Sequence, residues 1–182
     1  MPAIPYKPMN SAGPAEVVMP ILERRGGTLL NVDRMLLHSV PFTQGWGALL
    51  GKVRSELSLP SKLRELAICA VSCLCGAEYE MHHHGPALLK AGGTPAQFNA
   101  LRDLKNAIAH DYLFTALERA VLTLAFDMTR QGRVPAPLLA ELNTALGETQ
   151  LVELVGVIAS YNMVARFIVA LGVEVESVTA ND

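Results

Sequence analysis

The fold is decided by RELAICAVSCLCGAEYEMHHHGPALLK, Arg64 to Lys90. Upstream of its glycine, Leu63, Leu66, Ala67, Ala70, Val71 and Leu74 recur at the three- and four-residue spacing of a helix that buries one stripe. Ser58-Leu59-Pro60 supplies a start with proline near the first turn. Gly76 sits where a helix closes through a left-handed residue, so the first helix is predicted over Pro60–Cys75. A second helix, Ala77–Lys90, then opens with Glu78 and Glu80 in its first turn, where acids suit the helix dipole, and stops at Gly92-Gly93. The stretch therefore reads as an antiparallel helix hairpin hinged near Gly76.

Working outward, the remaining chain is also helical. Helices are predicted over Pro14–Arg25, Leu30–Ser39, Phe42–Leu57, Thr115–Gln131, Ala136–Leu146 and Thr149–Leu171. Thr94-Pro95-Ala96-Gln97 has the form of a capping box that opens another. No segment alternates with the period of a strand. The expected architecture is all-α and compact: a proline-rich arm over residues 1–13, laid on the surface or on a partner subunit, and one helical domain over 14–182.

Composition agrees. Of 182 residues 51% are hydrophobic and only 5% aromatic, an aliphatic core suited to packed helices rather than a sandwich. A chain of this length buries roughly 70% of its unfolded surface. Fifteen basic and 17 acidic side chains leave a net charge of −2 without a basic stripe, so no nucleic-acid surface is expected. The N-terminal MPAIPYKPMNSAGPAE lacks the apolar core of a signal peptide. Leu66–Ala77 is too short to span a bilayer, and Leu151–Val173 is interrupted by Glu153, Asn162 and Arg166, so a cytoplasmic protein without a membrane span is expected.

Three clusters bear on chemistry. In the hairpin, Glu65 lies eleven residues before Gly76 and His84 eight after it. If the helices run antiparallel their axial offset is about 4.5 Å, within reach of a direct or water-bridged hydrogen bond. Glu80 lies one turn before His84 on the same face. The spacing supports a relay Glu65–His84–Glu80, and it equally allows Glu65 to face water beside Lys62 or Arg64. Glu80-Met81-His82-His83 has the Glu-x-x-His spacing of di-iron bundles, but the second copy those sites need is missing, and adjacent histidines point about 100° apart. No metal and no cofactor are expected, and His82 and His83 are placed at the surface or at a subunit contact. Cys69, Cys73 and Cys75 are an odd set on one segment, which is not a disulfide framework. Cys69 and Cys73 read as core. Cys75 precedes the hinge and approaches a helix N-terminus, which would lower its thiol pKa and makes it the candidate redox residue. Trp46, Tyr79 and Arg166 are the candidates for substrate contact, with Asn162 and His38 nearby in the reading. Packing explains Trp46 and His38 as well, and a structural ion pair explains Asn162 and Arg166.

These residues together resemble the carboxymuconolactone decarboxylase and alkylhydroperoxidase D superfamily. Its redox members carry a glutamate, Cys-x-x-Cys twelve residues later, and then a histidine. RELAICAVSCLCGAEYEMHHH keeps Glu65 and His84 in those places and has Ala77 and Glu80 where the cysteines would stand. RRGGTLLNVDRMLLHSVPFTQGWGALL and YNMVARFIVALGV also resemble its branch of roughly this chain's length. The resemblance implies an all-helical fold, a homo-oligomer (trimer or hexamer, with a dimer also open) and an active site at the Glu/His hairpin. Without thiols at 77 and 80 it implies a decarboxylase-like enzyme acting on a small lactone or carboxylated metabolite. In that enzyme His84 transfers the proton, Glu65 orients it, and Glu80 is a second acid/base or binds substrate. The alternatives are a peroxidase-type antioxidant relying on Cys75, and a catalytically silent oligomeric binding module.

Overall fold

The computed structural model describes residues 1–9, 12–109 and 111–176. Two residues of the expected arm, and residue 110 and the last six of the expected domain, therefore lie outside the described residues. The described elements are helical, with no strand among them: α1 Ala15–Arg25, α2 Asn31–Leu36, α3 Val40–Ser55, α4 Ser61–Cys75, α5 Glu78–Lys90, α6 Pro95–Ala100, α7 Leu104–Ala109, α8 Ala116–Phe126 and α9 Ala136–Leu171. A short 3-10 turn, Leu101–Asp103, joins α6 to α7, and α8 runs on into a π turn over Asp127–Gln131.

The centre of the molecule is α4, which packs on α5, α8 and α9. The sequence suggests a one-sided stripe, yet every residue from Leu66 to Val71, and Ser72 after them, is withdrawn from solvent. Small side chains make this possible: Ala67, Cys69, Ala70 and Ser72 let neighbouring helices close on all sides, and the Ser72 hydroxyl donates to the Ile68 carbonyl, so no polar atom is stranded. A helix that is buried all round is a core helix, and the rest of the fold is arranged about it.

The hinge forms as its glycine requires. Gly76 adopts φ 69°, ψ 27°, and the Gly76 and Ala77 amides donate to the Cys73 and Ser72 carbonyls at 3.2 and 2.9 Å. A residue bearing Cβ pays a steric penalty there, which glycine avoids. The two helices expected over 136–171 are assigned as one span, but Gly147, at φ 78° and ψ 167°, breaks it where the sequence places the boundary. That conformation is open essentially to glycine alone. By length and composition α9 could cross a membrane. In the fold, Leu154, Val157, Ile158, Tyr161, Val164 and Ala165 form its buried face.

The arm runs along its own chain. The Ala3 amide donates to the Leu171 carbonyl at 2.8 Å, Arg34 donates to the Lys7 carbonyl at 2.7 Å, and the Tyr6 phenol accepts from the Glu174 amide at 2.9 Å. The α6 capping box closes as expected, with Thr94 and Gln97 exchanging hydrogen bonds at 3.1 Å. The six-residue α7 was not expected, because a segment that short shows no readable period.

Candidate active site

Antiparallel docking of α5 on α4 brings Glu65 and His84 together. Glu65 Oε2 lies 2.7 Å from His84 Nδ1, closer than the axial estimate because both side chains lean into the same interhelical seam. The opposite face of the ring meets Glu80, whose Oε2 is 3.3 Å from Nε2. Tyr161, from α9, places its hydroxyl 3.2 Å from the same nitrogen and its ring edge-on to the imidazole. The two readings of Glu65 combine: its other oxygen accepts from Arg64 Nε at 3.2 Å, but the pair is buried, with the Glu65 side chain only 7% exposed.

Burial alone would lower the His84 pKa. The hydrogen bonds and charges of Glu65 and Glu80 overcome it and raise the imidazole to about 9. Burial likewise pushes the Glu65 carboxyl up, and the hydrogen bond and charge of His84, followed by those of Arg64, more than reverse that. At neutral pH His84 is therefore held as an imidazolium beside the ionised Glu65. Nδ1–H donates to Glu65, and Nε2–H faces Glu80 and the phenol oxygen.

Nε2 opens on a small recess of about 40 Å³. Leu30, Val32, Leu50 and Val164 form its apolar wall, with Trp46 beside them. Its polar wall is Glu80, His84, Tyr161, Tyr79, His83, Arg25 and Arg54. Glu65 is not on the surface of the recess; it sits behind the ring as the residue that positions it. Of the expected substrate contacts, Trp46 and Tyr79 are on the wall. Trp46 is held by Phe42 and Phe167, with ring centroids 5.8 and 5.2 Å away.

Two expectations are corrected. Arg166 lies on the outside of α9, donating to the Asn162 side chain and to its carbonyl at 3.1 Å, while Asn162 Nδ2 donates to Thr129 Oγ1 at 2.9 Å. This polar pair is structural, and it borders a different groove, shared with Thr129, Arg130 and Cys75. Cys75 therefore opens away from His84. Burial raises its thiol pKa despite Arg166 and Arg130, so the expected lowering by a helix end does not occur. Cys69 is fully buried, and burial holds Cys73, whose thiol lies against Met81 Sδ, up at about 11. His38 also stays outside the recess, with Nε2 2.8 Å from the Pro5 carbonyl oxygen.

His82 is exposed as expected, but His83 is half-buried on the recess wall against the Tyr79 ring. Glu176, from the C-terminal segment, ties this wall together. It accepts from the Tyr79 hydroxyl at 2.8 Å and the Asn31 amide at 2.7 Å, and it lies 3.1 Å from His83 Nε2. Burial lowers the His83 pKa although Glu176 and Glu80 oppose it. Sequence reasoning missed Glu176, Arg54, Arg25 and Tyr161. Only Tyr161 left a trace, as a phenol in an otherwise aliphatic helix of an aromatic-poor chain.

Residues 41–127 match the carboxymuconolactone decarboxylase family. That span holds α3, α4, α5 and α8, and so Glu65, Glu80 and His84. No curated protein matches the chain. Among solved structures, an uncharacterized peroxidase-related protein from a Silicibacter species aligns over 97% of this chain and 94% of its own, at 21% identity and TM-score 0.79. A second peroxidase-related protein, an alkylhydroperoxidase AhpD core from Ralstonia eutropha, aligns over 96% and 95%, at 19% identity and TM-score 0.80. The debrominase Bmp8, solved with 2,3,4-tribromopyrrole, aligns over 97% and 95%, at 20% identity and TM-score 0.75. At these identities the likeness establishes the shared fold.

Proposed function

We propose that this chain, which belongs to the carboxymuconolactone decarboxylase/AhpD-like superfamily, is a thiol-independent acid/base enzyme that decarboxylates a small carboxylated lactone or a related carbonyl acid. One observation carries the reading. A buried imidazolium is held between Glu65 and Glu80, with its Nε2 facing a recess whose described lining includes no cysteine.

Decarboxylation of such an acid breaks the bond between carbon and its carboxylate, releases CO2, and passes the electron pair into the conjugated carbonyl as an enolate. His84 Nε2–H supplies the proton that this carbon then takes up, and the neutral imidazole recovers its proton from water. The Tyr161 hydroxyl is placed to hydrogen-bond the enolate oxygen as charge develops there. Glu65 stays ionised, fixes the ring orientation and offsets the imidazolium charge. Glu80, on the recess surface, is the second acid/base group. Positioned proton transfer of this kind is worth roughly 10²–10⁴ in rate.

The test is CO2 release from 4-carboxymuconolactone and from simpler carboxylated γ-lactones by the wild-type chain, H84Q and E80Q. Turnover that falls by roughly 10²-fold or more in H84Q, with C75S unaffected, supports the assignment. Turnover unchanged in H84Q overturns it. Peroxide consumption that requires Cys75, with no CO2 release, replaces it with the antioxidant reading. The homo-oligomer implied by the resemblance belongs to the same proposal, with the exposed apolar groove of Phe42, Leu49 and Met163 as its contact surface.

A further inference from the structure

The cations around the recess are matched one by one, with a single exception. Arg25 donates from Nε and Nη2 to Asp33 at 3.0 and 3.3 Å. His84 lies between Glu65 and Glu80, Arg64 donates to Glu65 behind it, and His83 meets Glu176. Arg54, in the last turn of α3, has no carboxylate partner among the described residues. Its Nε–H donates to the Leu50 carbonyl at 2.9 Å, which fixes the plane of the guanidinium. Its Nη2 is buried and has no hydrogen-bond acceptor; it is the one such side-chain atom among the described residues.

A buried, charged N–H donor without an acceptor is costly, and native structures rarely leave one. Arg54 and Leu50, the residue that fixes the fork, both line the recess. The charge of Arg54 is also felt at the Tyr161 phenol, opposing the effect of burial there. Arg54 lines the same recess as Tyr161 and His84.

We infer that Arg54 is the substrate-recognition residue of this recess, and that its free guanidinium N–H takes an oxygen of a small organic carboxylate. The inference rests on the acid/base reading for the identity of the site, but not on any turnover. A guanidinium is suited to the role because its fork matches the planar carboxylate and its charge persists at any working pH. The recess supplies the rest of the specificity. It is small, apolar on the side of Leu30, Val32 and Val164, and its other cations are matched, so a ligand that presents a carboxylate to Arg54 and a compact apolar body to that wall fits.

Benzoate, benzamide and inorganic phosphate are the probes, with binding followed by calorimetry and thermal shift on the wild-type chain, R54Q and R54M. Benzoate is expected to bind and stabilise the wild type, and benzamide, of the same shape without the charge, to bind roughly ten- to a hundredfold more weakly. R54Q and R54M should lose benzoate binding by the same factor, and R54M without ligand should melt no lower than the wild type, since it removes an unmatched buried charge. Equal binding of benzoate and benzamide, benzoate binding unchanged in R54Q, no benzoate binding up to its solubility limit, or phosphate bound in preference to benzoate each overturns the inference. The benzoate–benzamide contrast needs only the wild type, so it stands if a variant fails to fold. Because binding is scored without turnover, these outcomes are separate from the H84Q result that tests the acid/base reading.

Discussion

Replacing Glu65 with glutamine removes one charge from behind His84 and almost no volume. Glu65 Oε2 at 2.7 Å and Glu80 Oε2 at 3.3 Å together overcome burial and lift the imidazole from its ordinary 6.5 to about 9. With the ring only 13% exposed, that displacement corresponds to folding free energy on the order of 3 kcal/mol. The sign follows from the folded pKa lying above the unfolded one. The stabilisation is fully present below the unfolded value near 6.5 and is lost as pH rises through about 9. In E65Q burial regains its weight, and the His84 pKa should fall by more than about one unit toward or below its ordinary value. One pKa unit is about 1.4 kcal/mol and for a chain of this size 1 kcal/mol is about 2–4 °C in Tm, so the wild type should exceed E65Q near pH 6 by roughly 3–5 °C for each unit by which the His84 pKa falls, with the gap shrinking toward about pH 10. Imidazole C–H or ring-nitrogen NMR of selectively labelled His84 reads the pKa directly, and calorimetric melts across that range read the linkage. A wild-type His84 that titrates at or below 6.5, an E65Q pKa equal to the wild type, or a Tm gap that stays constant with pH would refute the reasoning.

Two further outcomes are expected. Gly85→Ala would place a Cβ 2.7 Å from Phe98 Cζ and 2.8 Å from its Cε2, so the Phe98 ring must shift or α5 and α6 move apart; a loss of about 1–3 kcal/mol in urea unfolding is expected, relieved in the G85A/F98L double variant. Cys75, with its thiol pKa raised by burial, should react with iodoacetamide at neutral pH more slowly than an exposed thiol, and C75S should leave the His84 titration unchanged; fast alkylation would contradict the groove described for it.

Much of the helical plan was legible because it rests on local signals. Gly76 and Gly147 mark their breaks through conformations that other residues avoid, the Thr94 box caps the helix that follows, and the apolar spacing of α4 names the core. The Glu65–His84–Glu80 relay was legible for a related reason: a tight hinge converts sequence distance into axial register, and helical periodicity places i and i+4 on one face. That Ala77 and Glu80 stand where redox members of the resembled superfamily carry cysteines came from the resemblance, not from the spacing.

Tertiary structure decided which charges are matched and which are not. Tyr161 reaches His84 across 77 residues and Glu176 reaches His83 across 93, separations at which no local period carries information. Arg166 and Arg54 are both arginines on apolar helices, and the sequence favoured Arg166, which turned out to face an outer groove beside Cys75. The sequence by itself determined the helices, their breaks and the histidine with its two carboxylates, because hydrogen bonding and apolar periodicity are properties of neighbours along the chain. Packing alone determined that the imidazole opens on a recess and that Arg54 lines it without a carboxylate partner among the described residues, because burial and charge pairing depend on which helices meet.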